Sequence, residues 1–123
     1  MNIENANIWI ECFKTAWLGK DLVAIADIFK DTTAYYETPD SEPFRNINDI
    51  LAQWEDIKPL DWRALDVKVK SITGSDVVME WSFVCVEPDG QVLEENGEYL
   101  VKFDESGRKC LEFVRKVENK REK

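Results

Sequence analysis

Residues 19–39, GKDLVAIADIFKDTTAYYETP, decide how the chain is read. Gly19 is placed to stop a preceding helix, as a residue that accepts positive φ without strain. Asp21 is placed to cap a new one, because its short carboxylate can accept from the unpaired N–H groups of a first turn. That helix, 22–29, turns Leu22, Ile25, Ala26 and Phe29 to one side. TTAYYE, 32–37, then changes character: β-branched and aromatic residues predict a strand, ended by Pro39. Tyr35 and Tyr36 are neighbours on that strand, so one faces in and the other out.

Working outward, Ala6, Trp9, Ile10, Phe13, Ala16 and Trp17 recur at three- and four-residue steps and predict a helix over 4–18. On the other side, Ile47, Ile50, Leu51, Trp54 and Ile57 predict a third helix over 47–57, with Asn46 or Asn48 as its cap and Pro59 beyond its end. From Trp62 the period falls to two. Leu65, Val67 and Val69 alternate with charges; Val77, Met79, Trp81, Phe83 and Cys85 form a second row; Tyr99, Val101 and Phe103 form a third. Leu111 and Phe113 belong to a last strand over about 109–117, and the turns TGSD, EPDG and DESG separate the four. Long strands joined by tight glycine-bearing turns make an antiparallel meander that twists and curls. The fold class is therefore α+β: three N-terminal helices packed on a strongly curved antiparallel sheet, a cone-shaped arrangement. One domain covers 1–118, with 119–123 as a charged tail.

Composition narrows the function. The formal charge of −9 repels phosphate backbones, which argues against nucleic acid and anionic membranes as partners. With no histidine, the usual Ser-His and Cys-His dyads and histidine metal sites are excluded. A hard-cation site built of acidic residues stays open but has no loop motif, since PDSEP and EPDGQ lack the ligand spacing of a calcium loop; no metal is assigned. Cys12, Cys85 and Cys110 share no CxxC spacing and read as reduced, buried thiols of a cytoplasmic protein. The opening MNIENANIWIE has no basic region and carries acids early, unlike a signal peptide. Fourteen aromatic residues, five of them Trp, point to a bulky core or an aromatic-lined cavity.

The helix–helix–strand–helix–four-strand order, with GKDLVAIADIFKDTTAYYETP, then EWSF, then YLVKFDESGR, resembles the nuclear transport factor 2-like superfamily and, within it, the SnoaL-like branch. The resemblance spans nearly the whole chain. It implies a conical fold with a pocket, and members that range from isomerases, cyclases and dehydratases to proteins without chemistry. In its ketosteroid isomerases a carboxylate base faces two oxyanion donors. Placed on this chain, the first donor falls on Phe13, which has no hydroxyl. The base falls on Glu37 counted from Phe29, or on Thr38 counted back from Pro39. The second donor falls on Tyr99. The SnoaL-like cyclases lean on Asp and His, and histidine is absent here.

These readings leave Glu37 as candidate base and Tyr99 as candidate donor, in a pocket of Phe13, Trp17, Tyr36, Trp54, Trp81, Phe83 and Phe113. A one-residue slip of register would exchange Tyr36 for Tyr35 and Tyr99 for Glu98. The first functional expectation is a cofactor-free binding site for a small apolar or aromatic molecule. The alternatives are a cofactor-independent isomerase or dehydratase using Glu37 and Tyr99, and an accessory protein whose cavity is filled by its own side chains. Val78, Val84, Val86 and Leu100 fall on the opposite sheet face, which is apolar enough to predict a homodimer there.

Overall fold

A computed structural model describes residues 1–122. Helix α1 (Ile3–Leu18) is capped by Asn2, whose side chain accepts from the Asn5 N–H at 2.8 Å. Its buried stripe is the sextet Ala6, Trp9, Ile10, Phe13, Ala16 and Trp17. At its end the left-handed residue is Lys20 (φ +51°), while Gly19 keeps a right-handed φ of −80°. The hydrogen bonds explain the shift by one position. Asp21 N–H reaches back to Ala16 O and Lys20 N–H to Trp17 O, a closing pattern that needs the positive φ one residue past the cap. Lys20 is held there by its ammonium, which donates to Lys58 O at 2.8 Å. Asp21 then caps α2 (Leu22–Phe29) by accepting from Ala24 N–H at 3.1 Å.

The first strand, β1 (Ala34–Tyr36), is shorter than the sequence suggests. It is clamped on both sides. It pairs in parallel with the last strand, Tyr35 opposite Phe113, and Tyr35 exchanges backbone bonds of 2.9 and 2.8 Å with Phe44. Helix α3 (Ile47–Trp54), capped by Asn46, tightens into a single 3-10 turn (Glu55–Ile57) rather than running as one helix to Ile57.

Four long strands follow: β2 (Asp61–Thr73), β3 (Asp76–Val86), β4 (Val92–Phe103) and β5 (Cys110–Glu122), in the sheet order β1-β5-β4-β3-β2. The four long strands are antiparallel, and β1 makes the sheet mixed by joining its edge in parallel. Register shifts interrupt both outer ladders, two in β2–β3 and two in β4–β5. Each extra residue bends its strand and increases local twist, so the sheet wraps around the helices. Residues 119–122 do not form a tail: β5 stays paired through Glu122, opposite Leu93, and only residue 123 lies outside the described residues.

The concave face carries the core. Phe13 sits at its centre with no exposure, its ring 5.1–6.1 Å from those of Trp9, Trp17, Phe29, Trp54, Tyr99 and Phe113. Most of these contacts are edge-to-face, a geometry worth about 0.5–1.5 kcal/mol per pair beyond area burial. The convex face is mixed. Val78 and Leu100 are flanked by ion pairs from Lys68 to Glu80 (3.7 Å) and Lys70 to Glu98 (2.6 Å). Cys85 and Cys110 are buried, but Cys12 is exposed, because it falls on the solvent side of α1 beside Glu11. No helix among the described residues is long and apolar enough to cross a membrane.

Candidate functional site

The aromatic side chains do not fill the cone completely. A cavity of about 160 Å³ remains at the end where α1 finishes, roofed by α3 and the 3-10 turn. Trp17, Trp54, Ile57, Leu60, Trp62, Phe83 and Leu93 make its apolar walls; Tyr35, Tyr99, Glu37, Gln53, Asp56, Glu95 and Arg115 are its polar lining. This is small beside the roughly 300–1,000 Å³ of drug-sized sites. Two larger grooves run along α1 and α2: one gathers Cys12, Asp27, Lys30, Asp31, Arg108 and Lys109, the other Glu11, Cys12, Asp21 and Asp27, and neither is lined by more than one aromatic side chain.

The polar side of the cavity is organised by Arg115. One guanidinium nitrogen reaches Glu37 Oε1 at 3.4 Å and also Glu37 O at 3.5 Å; the other reaches Glu95 Oε1 at 3.1 Å. The strand pattern dictates this meeting. On β4, Leu93, Glu95, Gly97, Tyr99, Val101 and Phe103 all point to the concave face, and on β5 Arg115 follows Phe113 at the same phase. Glu37 arrives from the end of β1, which lies against β5. The Arg115 guanidinium also lies 5.6 Å from the centroid of Trp81, whose ring is nearly parallel to those of Phe83 and Tyr99. The cation is thus held by two carboxylates and a ring face.

Each carboxylate uses only its Oε1 on Arg115; among the described residues no donor reaches the second oxygen of either. Tyr35 and Tyr99 are buried, and burial raises both phenol pKa values well above the usual range; the nearby Glu37 charge adds to the rise and Arg115 opposes it. Trp54 also opposes the rise at Tyr35, although no hydrogen bond closes between them. Both phenols therefore stay protonated and remain O–H donors. Cys110 lies elsewhere in the core, its thiol pushed up to about 12 chiefly by burial, and is inert. Among the described residues no group of carboxylates or thiols converges to hold a metal ion.

Neither a protein-family model nor a curated protein sequence matches the chain. Solved structures do. An LEH-like epoxide hydrolase from M. tuberculosis superposes with a TM-score of 0.68 and 13% identity, over 94% of this chain and 84% of that one. A protein described as a candidate polyketide cyclase from Xanthomonas campestris pv. campestris gives 0.71 and 13%, over 93% and 90%. The chain has the nuclear transport factor 2-like fold.

Within this nuclear transport factor 2-like cone the structure sorts the residues singled out from the sequence. Glu37 and Tyr99 line one cavity, with Trp17, Trp54 and Phe83 among its walls. Phe13, Trp81 and Phe113 do not line it: they are the buried layer behind it, Phe113 packed against Tyr35 at 4.9 Å and Tyr99 at 4.6 Å. Tyr36 does not line it either. Tyr35 takes the inward position, because its pairing with Phe113 and Phe44 fixes the pleat, and Tyr36 faces the other way. Glu95, Arg115 and Trp62 were not singled out. A phase signal existed for the first two: an acid and a base sit at positions that the alternation assigns to the concave face.

Proposed function

We propose that the chain is a cofactor-independent acid–base enzyme that takes a small molecule into the aromatic cavity and moves a proton, or adds water, there. The observation that carries this reading is Arg115 suspended between Glu37 and Glu95 on the cavity wall. Two ionised carboxylates with a free oxygen each, facing one void, let either take a proton from the substrate or its attacking water and hand the same proton back to the product, an effect usually worth about 10²–10⁴ in rate. Glu37, at the wetter edge, is the base; Glu95, nearly buried, is its partner. Tyr99 and Tyr35 supply neutral O–H donors for charge that develops on a substrate oxygen. Arg115 offsets part of the carboxylate charge and holds both groups in place. Structures sharing the fold include an epoxide hydrolase, so the scaffold is compatible with water addition.

The test is turnover of small epoxides and unsaturated ketones in isotopically labelled water, followed by mass spectrometry. Glu95→Gln and Glu37→Gln keep side-chain size and are each expected to lower turnover about 10²–10⁴-fold. If both variants match wild type, the catalytic reading falls and a binding module with the same walls remains.

The convex sheet face is further proposed as the contact between two copies of the chain, centred on the depression bordered by Val78, Leu100 and Val114. A monomeric mass at tens of micromolar in analytical ultracentrifugation would remove that proposal.

A further inference from the structure

The cavity lining has a sign. Three carboxylates, Glu37, Asp56 and Glu95, stand against one guanidinium, Arg115, leaving a formal charge of −2 inside a chain of net −9. Both arms of Arg115 are already committed, one to Glu37 and one to Glu95. An incoming anion would have to displace a carboxylate to reach it.

The apolar walls are largely aromatic. Six aromatic side chains surround the void: Trp17, Tyr35, Trp54, Trp62, Phe83 and Tyr99. The indole nitrogens of Trp17, Trp54 and Trp62 are themselves closed off and make no hydrogen bond. What these three indoles present to the cavity is therefore ring carbon, not a donor. Ring faces are negative at the centre and attract cations, more strongly where water is excluded. The chain already uses this attraction beside the cavity, in the seat of Arg115 over Trp81 at 5.6 Å.

We propose that the occupant of this cavity is a small organic cation, an amine or quaternary ammonium group on a short carbon frame. This rests on the reading of the cavity as the ligand site and adds its substrate class. The aromatic walls take the apolar frame and the ammonium charge together, while Glu37, Asp56 and Glu95 supply the balancing field. The volume of about 160 Å³ keeps the molecule small.

The test compares three probes of similar size on the wild-type protein, by calorimetry and tryptophan fluorescence: benzyltrimethylammonium, its uncharged isostere neopentylbenzene, and the anion phenylacetate. The cation is expected to bind about tenfold tighter than the neutral isostere, with no saturation by the anion. The preference is expected to shrink several-fold in Glu37→Gln, whose rim position makes loss of fold no explanation, and further in Glu95→Gln. Equal or tighter binding of neopentylbenzene overturns the charge preference but keeps the cavity as a ligand site. Binding of phenylacetate in place of the cation overturns it too. No binding of any probe at millimolar concentration takes down both the preference and the site.

Discussion

Gly97 shows how much of the site hangs on one missing carbon. A Cβ there would lie 1.9 Å from Lys116 O and 3.0 Å from the Trp81 ring. The glycine thus lets β5 approach β4 at the register shift beside it, with Trp81 lying across the gap and Arg115 over Trp81. Gly97→Ala forces backbone apart rather than a flexible side-chain tip, so it belongs at the costly end of overpacking. The expected loss is about 3 kcal/mol by urea denaturation, with a red shift in tryptophan emission as Trp81 is uncovered. Unchanged stability would mean that the strands can part there at no cost. The residues that the sequence misplaced are instructive at this same scale. Tyr35 and Tyr36 fit a strand equally well, so the sequence leaves their phase open by one residue. Only the parallel pairing of Tyr35 with Phe113 decides which phenol enters the cavity.

Among the elements, the β4–β5 turn depends most visibly on one ionisable group. Asp104 accepts from the backbone N–H of Arg108 at 3.2 Å and Lys109 at 3.1 Å, and from the Ser106 hydroxyl at 2.8 Å. Gly107 completes the turn at φ +71°. The Lys109 N–H is the main reason that the carboxyl pKa falls below its ordinary 3.8, with the Ser106 and Arg108 bonds adding to it. A carboxyl depressed in the folded state contributes stability that is present above the unfolded value and lost as pH falls through the folded one. Thermal melts should therefore show wild type above Asp104→Ala from pH 7 down to about 4, with the gap closing below that. A gap independent of pH would show that the turn gains nothing from the charge. The helix junction teaches a related lesson. Its sequence signal, Gly19 then Asp21, marked the right place, yet the left-handed residue proved to be Lys20, because the closing hydrogen bonds set the position of positive φ.

At the scale of the whole molecule, the chain by itself determined the class and order of its elements. Apolar residues at helical spacing in 4–18, 22–29 and 47–57 and alternation after Trp62 leave few ways to bury all the stripes at once, and a curved sheet around three helices is one of them. Trp17, Trp54, Phe83 and Tyr99 could be named in advance because period and strand phase point them at a common interior; Glu37 follows only from the resemblance, because a phase that turns Tyr36 inward turns Glu37 out. What the tertiary structure decided is the chemistry. Glu37, Glu95 and Arg115 come from three strands, β1's end, β4 and β5, and are separated by at least 20 residues in the chain. Local pattern carries phase but not strand order. The parallel docking of β1 against β5, and the register shift at Gly97, place two carboxylates on one guanidinium over an aromatic void. That juxtaposition depends on which strands are neighbours, a property of the packed sheet that no window of sequence contains.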